Sequence, residues 1–275
     1  MYNMINKKYL KPLLIFVITF GALIALFFGI PDKELTVFFV AIFTLIWISA
    51  IIGGVLFGYI LGPFFLSVHK KVIGTKMNYG IQELKEINPD KFKNTFRGFF
   101  PALMTINFAM IFVSYVQTVI GSNVKPGEEG TFAILIILIS LPLMTGISCA
   151  LFSPVWFLVD SGIVYSNKEK AENKKLPHEV KSVGVWYLHI LKGYAGISVI
   201  LSFINILILY YASEAINIGN IILFPLLPIL IMIFIIPTAV ILDSTSERRN
   251  NFILKHAHKK GIIDNVNVIF EKSSK

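Results

Sequence analysis

Apolar residues in this chain come in long blocks. They follow neither the two-residue alternation of a half-buried strand nor the three-to-four-residue stripe of a surface helix. Residues 13–30, 35–66, 99–120, 132–159, 194–213 and 219–242 are almost wholly apolar. A helix needs about 20 such residues to cross a bilayer. The pattern predicts an all-α, polytopic membrane protein with six transmembrane helices, at about 12–30, 35–66, 97–120, 131–160, 188–213 and 219–243. They pair as three hairpins and fill a transmembrane domain over 1–247, with a basic cytoplasmic tail over 248–275. No small-x-small cleavage signature follows the first span, so it is read as a retained helix. Spans 2 and 4 hold apolar stretches of roughly 30 residues, about 45 Å as helix, so they must tilt, kink or project beyond the hydrocarbon.

The polar segments between the blocks carry start signals. Asn88-Pro89 reads as an N-cap with proline at the first helical position, opening a helix through Phe92, Phe96 and Phe99. Pro177 is expected to open a helix that brings Trp186 and Tyr187 to headgroup level. Ser244 and Glu247 fit a capping box for a helix carrying Arg248, Arg249 and Lys255. Residues 167–175 read as a solvated charged loop, and the tail after Gly261 as a strand or an arm for a partner.

Charge then orients the chain. Of 25 lysines and arginines, all but Lys33 and Lys125 fall at the N-terminus, between spans 2 and 3, between spans 4 and 5, or after span 6. This is the positive-inside asymmetry, and it predicts that both termini are cytoplasmic. It also accounts for the formal net charge of +9, so nucleic acid is not an expected partner. Charged residues make up 15% of the chain, well below the ~25% of a soluble domain.

The even spans align on Pro63, Pro154 and Pro237, and six residues after each proline come His69, Asp160 and Asp243. The alignment suggests an internal repeat, with these three side chains as a cytoplasmic vestibule that binds a cation or latches a gate. Arg97, Lys192 and Lys11, at the inner ends of the odd spans, are the expected partners of the two carboxylates. The competing reading is that a charge at the water boundary simply ends each span.

The span cores hold no Asp, Glu, Lys, Arg or His, which argues against a proton-driven pump or a voltage sensor. Asn107, Gln117 and Asn205 are the polar groups expected to line a cavity or to bond between helices. Gly54, Gly58 and Gly62 form a double small-xxx-small run, a glycine zipper expected to pack against another helix of this chain or against a second subunit. Cys149 is the lone cysteine and is read as a small packing residue. His256 and His258 read as basic surface. No phosphate loop, zinc-protease, nucleophile-elbow or paired-carboxylate pattern is present. No catalytic residue, metal or cofactor is expected.

Together these features predict a multi-pass protein of the cell membrane that forms a solute path, or is the membrane subunit of a transporter. The alternative is a non-catalytic scaffold or accessory subunit that binds partner proteins or anionic lipids. Its surroundings would be the lipid bilayer, with a protein partner or a second copy of the chain.

Overall fold

The structure is a computed structural model that describes residues 31–81, 96–120, 129–167, 180–212 and 227–263, with scattered helical positions between 14 and 29. Asn88, Pro89, Phe92, Pro177, Pro225, the charged loop after Asn167, the tail beyond Ile263, and the side chains of Gln117 and Asn205 lie outside the described residues.

The described chain is mostly helical, as long apolar runs demand when backbone groups must find partners within their own segment. Pro31 and Asp32 start the first helix, α1 (Lys33–Ile51), where the Asp32 carboxylate accepts from the Glu34 backbone N–H at 3.0 Å. α1 continues through a π-turn (Ile52–Leu56) into α2 (Phe57–Val72). Then follow α3 (Phe99–Ile120), α4 (Glu129–Asp160), α5 (Val183–Ala212), α6 (Leu227–Ser244) and α7 (Ser246–Lys259). Among the described residues, three helical stretches are long and apolar enough to cross a membrane: Thr36–Val72, Leu138–Asp160 and Val183–Ile204. Shorter apolar helices cover Phe99–Val113 and Ile231–Ser244. The first stretch has 37 residues, about 55 Å of helix, and so outreaches a hydrocarbon core of about 30 Å.

The all-α expectation holds for most of the described chain, with one small sheet added to it. A three-stranded antiparallel sheet sits beside the helices, in the order β1 (Met77–Ile81), β2 (Ile163–Asn167) and β3 (Lys181–Ser182). Its register sets Tyr79 opposite Tyr165, and Tyr165 opposite Lys181. β2 follows α4 through Ser161-Gly162, where Gly162 takes φ 69°, a conformation that favours glycine. The strands are two to five residues long, too short to mark a period in a chain dominated by apolar blocks.

α4 is the hub. It is far more buried than α5, whose Ile190, Tyr194, Ile197, Ile200 and Leu201 are exposed. One core brings together α1 (Ile42, Ile46, Ala50), α3 (Ala102, Ile106), α4 (Cys149) and α6 (Ile231, Ile235). A second core joins the ends of α2, α4 and α6 to the sheet and α7, through Leu66, Phe157, Leu242, Tyr79, Tyr165 and Ile253.

Glycines let these helices approach. A Cβ on Gly53 would lie 2.1 Å from the Gly146 carbonyl oxygen, so α4 crosses the π-turn backbone to backbone. A Cβ on Gly54 would lie 2.3 Å from Thr238 Cγ2, one on Gly58 2.6 Å from the Phe157 ring, and one on Gly62 2.9 Å from Ile253 Cδ1. A Cβ on Gly184 would lie 2.2 Å from the Val159 backbone nitrogen, where α5 starts against the end of α4.

α7 forms, but without the expected capping box. Its N-cap is Thr245, with no side-chain cap bond, and Ser244 Oγ instead donates back to the Ile241 carbonyl at 2.9 Å. α6 runs on through Ser244, so only one residue is left for the turn and Ser244 stays helical. The helix ends at Gly261, φ 58°, with the Ile262 N–H bonded to the Ala257 carbonyl at 2.9 Å and Ile262 and Ile263 buried beside it.

Candidate functional site

The most concentrated polar chemistry among the described residues lies at the end of α4. Asp160 meets Arg97, in the turn of 3₁₀-helix (Phe96–Gly98) that leads into α3, through a two-pronged pair: Nη1 donates to Oδ2 at 2.9 Å and Nη2 to Oδ1 at 2.6 Å. Arg249 of α7 donates to Oδ2 from both Nη1 and Nη2, each at 3.1 Å. Arg249 Nη2 also donates to the Leu242 carbonyl at the end of α6. One carboxylate thus joins the start of α3, the end of α4 and α7, and Arg249 ties in α6.

The three groups are mostly out of water. The side chain of Arg249 is 0% exposed, that of Asp160 14% and that of Arg97 17%. The Arg249 guanidinium lies 4.8 Å from the centre of the Phe157 ring. Its Nε is buried with no hydrogen-bond partner among the described residues. Burial pulls the Arg249 pKa below its ordinary value; Asp160 pushes it back up, and Arg97 opposes that. Fork-shaped contacts suit arginine, whose planar guanidinium matches a carboxylate and keeps its charge.

A second constellation surrounds His69, near the end of α2. His69 Nδ1 lies 2.8 Å from Tyr79 Oη. The imidazole meets Tyr165 at 4.8 Å and Trp186 at 5.1 Å, both edge to face, with Tyr187 at 6.0 Å. Nε2 is buried without a hydrogen-bond partner among the described residues. Tyr187 Oη donates to the Phe65 carbonyl at 2.9 Å, pinning α5 to α2. Burial, with Tyr165 and Tyr187 nearby, pushes the Tyr79 hydroxyl pKa well above its usual value, so it stays protonated.

The expected vestibule residues therefore occupy three different settings. Asp160 lies in the ion cluster, His69 in the aromatic nest and Asp243 on an exposed face. Of the expected cationic partners, Arg97 pairs with Asp160, while Lys192 Nζ stands 4.9 Å over the Phe100 ring. Lys11 lies outside the described residues. Arg249 was expected only as one of the cations carried by the helix after span 6, and the structure buries it. Its signal was its place on the stripe Arg249, Ile253, Ala257, which makes the buried face of α7.

Asn107 is buried in α3 and its Nδ2 has no hydrogen-bond partner among the described residues; the same holds for Ser148 Oγ in α4 and Thr238 Oγ1 in α6. The π-turn adds one cross-helix contact, Ser153 Oγ to the Gly53 carbonyl at 3.4 Å. π-turns recur at functional positions in helices.

No family model, no curated protein and no solved structure matches this chain.

Proposed function

We propose that the chain is a multi-pass protein of the cell membrane whose helices form a path for a small solute. In this reading the Arg97–Asp160–Arg249 cluster is the latch at the inner end of that path. The observation that carries the reading is the sharing of one carboxylate between three segments, so that freeing Asp160 releases the start of α3 and α7 together. Buried polar groups on three helices, Asn107, Ser148 and Thr238, supply the polar lining a neutral or cationic solute needs.

Six spans in three hairpins, with both termini cytoplasmic, fit the positive-inside pattern and the gathering of the α3 and α5 starts with the α2, α4 and α6 ends. In this reading the repeat extends to α2 and α4, each of which leads into a strand of the same pair. α6 leads into a helix instead. The run Gly54, Gly58 and Gly62 serves in this reading as the close-packed wall on which α6, α4 and α7 rest.

The test is osmotic swelling and ion flux in proteoliposomes across a panel of small neutral solutes and monovalent ions. Asp160→Asn should change the permeability of the reconstituted protein at least tenfold. If wild type and Asp160→Asn both match protein-free vesicles for every solute, the path is wrong.

A second reading, a non-catalytic scaffold or accessory subunit, is favoured by α7. Its outer face exposes Arg248, Lys255, His258 and Lys259 beside Phe252, a composition suited to anionic lipid or an acidic partner. Flux that is absent while α7 deletion strips a co-purifying partner would select it.

A further inference from the structure

Among the described residues the ion cluster is unbalanced: two guanidinium groups share one carboxylate. Asp160 Oδ2 takes one hydrogen bond from Arg97 and two from Arg249, and Oδ1 takes one more from Arg97. Asp160 has little left to offer a third cation. Uncompensated charge held away from water is unfavourable. For Arg249 the Leu242 carbonyl and the Phe157 ring offset part of this, yet its Nε still has no acceptor among the described residues. Arg97 keeps an exposed edge, with the side chain 17% accessible. Lys192 holds its ammonium 4.9 Å over the ring of Phe100, which follows Arg97 by three residues at the start of α3.

We infer that this cluster is a binding site for a phosphate-type anion, held on the exposed edge of Arg97 with Lys192 as its second cation. Arginine forks match the oxygens of phosphate as they match those of a carboxylate, and phosphate contributes the negative charge the cluster lacks. Within the site Asp160 fixes the two guanidiniums in place, and Arg97 is the group that touches the ligand. The same chemistry comes from two sources, a phospholipid headgroup at the membrane surface or free phosphate. The inference concerns the cluster alone and holds whether or not the bundle conducts a solute.

The experiment is thermal unfolding of the full chain in two arms. In the first, protein in zwitterionic detergent is titrated with inorganic phosphate against sodium chloride at equal ionic strength. In the second, nanodiscs of phosphatidylcholine are compared with nanodiscs that also hold phosphatidic acid. A rise of several degrees in Tm is expected in at least one arm. The phosphate arm alone assigns the site to free phosphate, the lipid arm alone to a headgroup, and either supports the site. Lys192→Gln leaves the Asp160 contacts intact and should reduce the rise by half or more. Arg97→Lys keeps the charge and loses the fork, and should nearly abolish it. No rise in either arm for the wild type overturns the inference. So does a full rise in both Lys192→Gln and Arg97→Lys.

Discussion

His69 and Asp160 stand at the same step of two similar helices, six residues after Pro63 and Pro154, yet their surroundings solve opposite problems. Asp160 is a charge removed from most of its water, and it is matched by two charges of opposite sign. Among the described residues His69 meets no carboxylate; four aromatic side chains enclose it, one of them through its hydroxyl. The first arrangement is held by directional charge-assisted bonds, the second by shape and ring area. The two should therefore respond very differently to removal of a single group.

The largest effect is expected at Asp160. Asp160→Ala leaves Arg249 buried without its counter-charge and should lower stability by about 3–5 kcal/mol, read from thermal or denaturant unfolding in detergent. Replacing all three members by apolar residues (Arg97→Met, Asp160→Leu, Arg249→Met) should recover most of that loss. If the triple variant is no better than Asp160→Ala, the cluster is not held by charge pairing.

Gly184 links the two regions, because α5 brings Trp186 and Tyr187 to His69 only by starting against the α4 backbone beside Asp160. Gly184→Ala forces those backbones apart and should be destabilising by about 1–3 kcal/mol. It should also move tryptophan fluorescence, a signal Asp160→Ala leaves closer to wild type.

At the nest the effects shrink. Tyr79→Phe removes the hydroxyl's two buried contacts, with His69 Nδ1 at 2.8 Å and the His69 carbonyl at 3.4 Å, and should be destabilising by about 1–2 kcal/mol. His69→Phe keeps an aromatic ring in the nest and removes the orphaned Nε2, while the Tyr79 hydroxyl loses Nδ1 but keeps the residue-69 carbonyl at 3.4 Å, so the net loss should stay below about 1.5 kcal/mol. A drop at His69→Phe as large as that at Asp160→Ala would erase the contrast between the two sites.

The smallest effect belongs to α7. His256 Nε2 lies 3.3 Å from Ser67 Oγ, and burial, then Lys260 and Lys259, lower its pKa. A folded pKa below the unfolded value near 6.5 means the stabilisation is present above that pH and fades as pH falls below it. Protection factors of the α7 amides, exchange rates corrected for the intrinsic pH dependence, should therefore fall modestly on acidification in the wild type, and His256→Gln should flatten that dependence.

Much of this was legible in the chain. Asp160 and Arg97 were readable as a pair because each ends or starts a predicted span on the same side, so topology alone brings them near. Arg249 was not, because one residue of turn after α6 decides which way α7 folds, and that decides whether the arginine is solvated or buried. Gly54, Gly58 and Gly62 stood out by their spacing. Gly53, Gly146 and Gly184 carry the closest backbone approaches and have no pattern of their own. The sheet was missed because β1 and β2 belong to segments separated by two helices, and neither strand is long enough to declare itself.

What the sequence determined by itself is the class of molecule. Long apolar helices and their basic flanks follow from local composition, since a run of apolar residues must satisfy its backbone internally wherever water is absent. The tertiary structure alone decided which groups meet. Arg97 and Arg249 lie 63 and 89 residues from Asp160 in the chain. A contact over that separation depends on how helices cross, at glycines that admit backbone against backbone. No local pattern encodes the crossing, and the chemistry of Asp160 and His69 was set there.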